Sequence, residues 1–358
     1  MKVLQVIPYF RMAGAEIMCE NLCYALKSCG CDVVAVSFYS DRTAITSRIE
    51  RAGIRLVYLN KKLGPDLAVY QKLFKLLKEE KPDVVHTHIG AARYAMPIAV
   101  LCGVPRKIHT VHNVAQREQE KAGKIINKFL FKNCSVVPVA LSEEVKKTVE
   151  EVYGLSEQKI PIVYNGINLS KCEIKKNYAK KETFKILHIG RFMDVKNHAL
   201  ILKSFAEFAV KHPDARLQLI GDGELRKEME QLAVELGVAN EVEFAGLQSN
   251  VYPWLHDADV FILPSKYEGV PMTLIEAMGT GLPIIASAVG GISDMLEDGA
   301  SALLIQPTQQ ELEFALEKIY KDETLRERLG ESALKASKKF SSIEMARKYM
   351  ELYTKVAQ

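Results

Sequence analysis

The chain alternates short apolar runs with longer segments whose apolar residues recur at helical spacing, and this alternation runs through twice. The first pass opens with a strand over 2–8. A helix follows, carrying Ile17, Met18, Leu22, Ala25 and Leu26 and stopped by Gly30, and then a buried strand over CDVVAVSF. Such a β-α-β succession builds parallel sheet, because the crossover helix returns the chain to pair in the same direction. Further strands are expected around 55–59, 83–87, 107–111 and 136–139, with helices over 67–80, 91–101, 122–132 and 143–153. Between 160 and 182, turn residues and lysines interrupt the pattern and predict an interdomain connection. A second series begins at Phe184, with strands over FKILHIG, ARLQLIG, VEFAG, VFILPS and PIIASA and helices over 199–210, 225–236 and 272–278.

Two consecutive Rossmann-like α/β domains account for this order, at 1–172 and 173–342. A last helix over 343–356 is long enough to pack back on the first domain. A length of 358 residues with 48% hydrophobic and 26% charged residues fits two globular domains and excludes disorder or a small disulfide scaffold. The net charge of +4 is too balanced for a dedicated nucleic-acid binder. The excess is uneven, since residues 1–175 hold 26 basic against 17 acidic side chains. All seven cysteines precede residue 173 without zinc spacing and read as reduced core thiols. The start shows no signal-peptide pattern and no apolar run reaches membrane-spanning length, so a cytoplasmic protein is expected.

In open parallel sheets, ligands bind beyond the carboxyl ends of the strands. The richest such loop is SKYEGVPMTLIEAMGTGLPIIASAVGG, residues 265–291. Glu268 stands at a strand exit, Gly269, Val270 and Pro271 lead into a helix, and Glu276 lies one turn inside it. The free N–H groups of Met272, Thr273 and Leu274 at that helix start suit an anion. A carboxylate on either side can accept hydrogen bonds from hydroxyls, so hydroxyl-rich groups would flank a phosphate. That is the outline of a nucleotide sugar. Upstream, GRFMDVKNH places Gly190, Arg191 and Lys196 at another strand exit, where Arg offers a fork and Lys a point charge.

Glu268-x7-Glu276 in this Gly-Val-Pro frame resembles family 4 of the retaining glycosyltransferases. The family order extends over nearly the whole chain: AGAE at 13–16, VVHTH at 84–88, TVHN at 110–113, YNGIN at 164–168, GRFMDVKNH at 190–198, GDGEL at 221–225 and ADVFILPSKYEG at 258–269. The resemblance implies the GT-B fold, two Rossmann-like domains facing each other across a donor/acceptor cleft. It also implies transfer of a sugar from a nucleoside diphosphate donor, with UDP favoured, to a hydroxyl acceptor. Bacterial surface polysaccharide or glycolipid synthesis is the implied setting.

By the same resemblance, Arg191 and Lys196 hold the diphosphate and stabilise the charge that builds on it as it leaves. Glu268 takes sugar hydroxyls and Glu276 the ribose. Gly246 and Leu247 meet the base through their backbone, and Gly14 lets the first loop approach the donor phosphate or acceptor. Ala13 stands where many relatives have a second glycine. His112 is implied to contact the sugar or reacting centre, whereas His86 and His88 read as structural. In retaining members a donor phosphate oxygen is implied to take the acceptor proton on the same face, so no general base is required.

Asp257 and Asp259 spell a DxD, read here as capping or loop residues, and no metal or other cofactor is expected. Along AGKIINKFLFK and the preceding Lys121, a helical wheel groups Lys121, Lys124, Lys128 and Lys132 beside Ile125, Ile126, Phe129 and Leu130. Either the apolar side packs on the sheet and the lysines are merely solvated, or the stripe rests on anionic membrane near a lipid-linked acceptor. Two rival functions remain at this point: a nucleotide-sugar epimerase, which needs no acceptor, and a non-catalytic nucleotide-sugar-binding protein.

Overall fold

The computed structural model describes residues 1–355 apart from Met12, Pro65 and Gln119. The chain divides into two compact units, Met1–Ile167 with Ser341–Gln358, and Asn168–Phe340. In the first unit six parallel strands, β1 (Lys2–Ile7), β2 (Asp32–Ser37), β3 (Arg55–Tyr58), β4 (Val84–His88), β5 (Arg106–Val111) and β6 (Val136–Ala140), stand in the order β3-β2-β1-β4-β5-β6. The second unit repeats this with β7 (Phe184–Ile189), β8 (Ala215–Ile220), β9 (Val242–Gly246), β10 (Val260–Leu263), β11 (Ile284–Ser287) and β12 (Leu303–Ile305), in the order β12-β11-β10-β7-β8-β9. Both are the doubly wound order, whose switch point falls between the first and fourth strands, here β1/β4 and β7/β10.

The strands read as apolar runs because both faces of each sheet are covered. Val3, Leu4, Val6 and Ile7 of β1 and the whole of Val260–Leu263 are at most 1% exposed. The second unit continues past the last strand expected from sequence, with β12 and helices Gln309–Lys321 and Glu323–Ser337. Their apolar residues Leu312, Leu316, Ile319 and Leu329 fill the same core as β7 and β8. A helix over Ala44–Arg51, closed by a Thr43–Thr46 capping box, was likewise not expected.

The interruption at 160–182 is not a loose connection. Ile162 bridges to Ala140 in the first unit. In the second, Lys175 Nζ donates to Ala258 O at 2.6 Å and Tyr178 OH to Gly281 O at 2.9 Å. Turn residues ended the local periodicity, but buried side chains pin the segment. The last helix runs over Ser342–Thr354 and packs beside Gly14–Ser28 within the first unit, while Val356 lies outside the described residues. The seven cysteines are all free thiols.

Candidate functional site

At the switch point of the second unit, the loops after β7 and β10 are joined by an exposed ion pair, Lys266–Asp194, and by a shielded one, Lys196–Glu268. Lys196 ends a short 3₁₀ turn over Asp194–Lys196, and its Nζ lies 2.6 Å from Glu268 Oε1. The same oxygen accepts from Ser265 Oγ at 2.6 Å, and the Lys196 and Glu268 side chains are only 16% and 10% exposed. Asn197, in the left-handed region at φ 60°, turns the chain into helix His198–Lys211, and its side chain donates to Pro264 O. Backbone bonds then close the frame, from Lys266 N to Val195 O and from Gly291 N to Glu268 O. The sequence assigned Lys196 and Glu268 to different parts of a donor; the fold brings them into contact.

Arg191 sits otherwise. Its side chain is 67% exposed and lies 3.8 Å from Glu224, an exposed pairing that contributes little. Its guanidinium is therefore free to reorient. Gly190 must lack a side chain, because a Cβ would come 2.8 Å from His188 Nε2, and a Cβ on Gly221 would collide with the Gly190 carbonyl. The glycines of GDGEL thus serve close packing of two loops.

His188 and His198, which the sequence reading did not single out, lie beneath this loop. His198 stacks on Phe192 with ring centroids 4.0 Å apart, and His188 Nδ1 lies 2.9 Å from Ile262 O. Burial pushes the His198 imidazole down to about 4 and holds His188 well below its ordinary range. Both are neutral at pH 7. For His188 the available signal was a polar residue inside the apolar strand FKILHI.

Helix Met272–Thr280 starts at Pro271. Three free amides were expected at its start, but Leu274 N donates to Pro271 O at 3.1 Å in a tight first turn. Met272 and Thr273 are left ahead of the first internal bond. Gly269 has open space around its missing side chain, whereas Val270 and Met272 are buried. Glu276 makes no side-chain hydrogen bond or ion pair among the described residues. Burial raises its carboxyl to about 7, against a small lowering by Lys171. Gly246 adopts φ +68° and accepts from Gly221 N, and Leu247 is 71% exposed. Arg226 borders Gly246 and donates to Phe244 O, a cation the sequence reading passed over.

Asp257 pairs with Lys185 and Lys181, while buried Asp259 accepts from Lys185 N at 2.8 Å. Each DxD carboxylate thus already has basic or backbone partners. Among the described residues no three His, Cys, Asp or Glu converge as a metal would require.

In the first unit, Gly14 is the first residue of helix Gly14–Ser28, behind an extended Ala13, and nothing crowds the place of its missing Cβ. Glu16, in the same first turn, is buried, and its carboxyl is raised to about 7. His86 and His88 lie in β4, at its buried carboxyl end. His112 follows β5, and its Nε2 lies 2.9 Å from His88 Nδ1. Burial and, secondarily, His109 push the His112 ring down to about 3, so it is a neutral imidazole.

Helix Lys121–Asn133 buries Gly123, Asn127, Leu130 and Phe131. Of the apolar side expected to pack inward, only Leu130 does. Ile125 is 72% exposed, Phe129 60% and Ile126 37%, on the face that also holds Lys121, Lys124, Lys128 and Lys132. With Pro97 and Val100 they line an apolar groove of about 450 Å³.

Two doubly wound units in tandem, each gathering polar groups at the carboxyl ends of its central strands, define a GT-B glycosyltransferase fold. Residues 12–171 match Glycosyltransferase Family 4 and residues 170–336 match Glycosyl transferases group 1. The chain is 30% identical over 266 residues to the UDP-Gal:alpha-D-GlcNAc-diphosphoundecaprenol alpha-1,3-galactosyltransferase of Escherichia coli, covering 69% of this chain and 68% of that protein. It is 26% identical to the O-antigen biosynthesis glycosyltransferase WbnH of Escherichia coli over 94% of each. Anabaena HepE in complex with UDP-glucose superposes with TM-score 0.84 at 19% identity, over 98% of both chains. A glycosyltransferase from Rickettsia africae gives 0.81 at 18% identity, over 99% of this chain and 98% of the other. The chain belongs to the glycosyltransferases, and its two halves carry the Family 4 and group 1 regions.

Proposed function

We propose that this enzyme moves a hexose from a UDP-linked donor to a hydroxyl of a glycan or lipid-linked acceptor in surface polysaccharide assembly, with retention of anomeric configuration. The observation that carries the reading is the Lys196–Glu268 pair at the β7/β10 switch point, with Glu268 on the loop that leads into the helix whose first amides are those of Met272 and Thr273. Support for UDP and for a lipid-linked acceptor comes from the name of the 30% identical relative.

In this reading Lys196 and exposed Arg191 take the diphosphate, Glu268 takes sugar hydroxyls, Glu276 takes the ribose, and Gly246 and Leu247 border the base. The bond between sugar C1 and the diphosphate oxygen breaks and a bond from C1 to the acceptor oxygen forms on the same face. The acceptor proton passes to the departing phosphate oxygen. Developing negative charge meets fixed cations, which stabilises the transition state more than the bound donor. No divalent ion is needed, so activity persists in excess chelator; loss restored by manganese would reject that part.

The partner surface in this reading is anionic membrane. Exposed Ile125 and Phe129 enter the lipid boundary while Lys121, Lys124, Lys128 and Lys132 meet its charge.

Thermal-shift measurements with UDP-hexoses test the donor assignment, since a ligand at 100 times its dissociation constant adds roughly 2.7 kcal/mol. No shift with any nucleoside diphosphate sugar would reject it. Products formed from donor alone, without acceptor, would favour an epimerase.

A further inference from the structure

We propose that Gln5 fixes the position of the ring proton on His112, acting through His88, so that His112 carries its proton on Nε2 and offers a bare Nδ1. The contact of His112 with the sugar or reacting centre is what the resemblance to the retaining glycosyltransferases implies, and it stands or falls with the sugar transfer proposed above; the proton placement rests on the geometry of the first unit alone.

Gln5 lies in β1, next to β4, and is fully buried. Its Oε1 is 2.8 Å from His88 Nε2, and its Nε2 is 3.2 Å from Tyr353 OH. An amide oxygen only accepts, so His88 Nε2 holds that ring's proton. A neutral imidazole has one ring proton, which leaves His88 Nδ1 bare. It therefore accepts from His112 Nε2 at 2.9 Å, and the neutral His112 ring keeps its lone pair at Nδ1.

On the other side, Gln5 donates to Tyr353 OH, which donates to His86 Nδ1 at 2.7 Å. His86 Nε2 then donates to Thr110 Oγ1 at 2.7 Å, and Thr110 donates to Tyr349 OH at 2.7 Å. Histidines and hydroxyls can each serve in either sense. Gln5 alone has a fixed donor end and a fixed acceptor end, so it sets the direction of the whole chain. Burial of His86 and His88 removes the doubly protonated form that would erase the direction. Both tyrosines come from helix Ser342–Thr354, which ties that helix to the ring of His112.

With its proton on Nε2, His112 accepts a substrate hydroxyl and does not donate to one. Gln5 and His88 are accordingly positioning residues.

The test uses the full chain labelled with ¹⁵N and two-bond proton–nitrogen spectra of the histidine rings, with UDP release from a UDP-hexose as the activity readout. Wild type is expected to show His112 as the Nε2–H tautomer. In Gln5→Glu the carboxylate accepts on both sides, so His88 and His112 keep their protons while His86 switches to Nδ1–H. Gln5→Leu mixes the His112 tautomers and lowers kcat/KM about tenfold, the scale of one misdirected hydrogen bond. Tyr353→Phe, should the Gln5 variants fail to fold, frees His86 and leaves His112 unchanged. An Nδ1–H tautomer of His112 in wild type, or an unchanged His112 tautomer in folded Gln5→Leu, overturns the proposal. A tautomer that shifts without any change in turnover supports the proton placement and rejects the substrate contact of His112.

Discussion

Lys196 Nζ and Glu268 Oε1 lie 2.6 Å apart although 72 residues separate them, because β7 and β10 are neighbours and their exit loops meet. The pair is mostly shielded from water and shares its acceptor oxygen with Ser265. Removing either partner leaves a poorly solvated charge. Lys196→Met should cost about 1 to 3 kcal/mol of stability, and Lys196→Met combined with Glu268→Gln should cost less than the sum of the single changes. Chemical denaturation of the four proteins measures this; additive effects would show that the pair contributes nothing. Turnover should fall in Lys196→Met by a barrier of about 2 to 4 kcal/mol.

Glu276 behaves differently because its carboxyl has no ion-pair partner among the described residues and burial raises it to about 7. The folded state holds its proton more tightly than the unfolded chain does between about pH 4.5 and about 7. Wild type should therefore lose stability relative to Glu276→Gln as pH rises through that window, and the difference should level off above it. A melting-temperature difference that does not vary with pH would contradict the raised value. Calorimetry at pH 8 should also show weaker binding of free UDP to Glu276→Ala; equal binding would remove Glu276 from the ribose.

Five buried imidazoles give the opposite slope. His86, His88 and His188 are held well below 6.5 by burial, His112 lies at about 3 and His198 at about 4. Below pH 6.5 the unfolded chain binds protons that the folded chain refuses, so this stability is present above 6.5 and lost as pH falls. Glu16, Glu276 and Asp259, whose carboxyls burial raises, oppose the trend with three groups against five. The melting temperature should fall from pH 7 to pH 5, and a constant one would show that the histidines are not held neutral.

The exposed face of Lys121–Asn133 predicts sedimentation with phosphatidylserine vesicles, weakened by salt, since each lysine adds about 1 kcal/mol near such a surface. Changing Lys121, Lys124, Lys128 and Lys132 to Gln should reduce binding most at low salt, with a difference from wild type that shrinks as salt rises. Ile125→Ser with Phe129→Ser should weaken the residual binding that persists at high salt. Unchanged sedimentation of both variants would clear this helix.

The sequence by itself determined the elements and their class, because strand and helix periodicity is a local property. The runs at Lys2, Asp32 and Val84 are strands, and apolar spacing marks helices Gly14–Ser28 and His198–Lys211. It also carried the Glu268 to Glu276 spacing, since Glu268 lies on the loop after a strand and Glu276 one turn inside the helix that the loop enters. The helices Gln309–Lys321 and Glu323–Ser337 were not expected, although Leu312 and Leu316, and Leu325 and Leu329, stand at helical spacing. Only tertiary structure decided which side chains meet. Lys196 finds Glu268, and Gln5 finds both His88 and Tyr353, through strand neighbours and a returning helix that no local pattern encodes. The wheel of Lys121–Asn133 showed an apolar sector, yet only the packing of neighbouring helices decided that Leu130 turns inward while Ile125 and Phe129 face solvent. Burial likewise set the protonation of Glu276 and His112, because desolvation depends on everything packed around a group and not on its place in the chain.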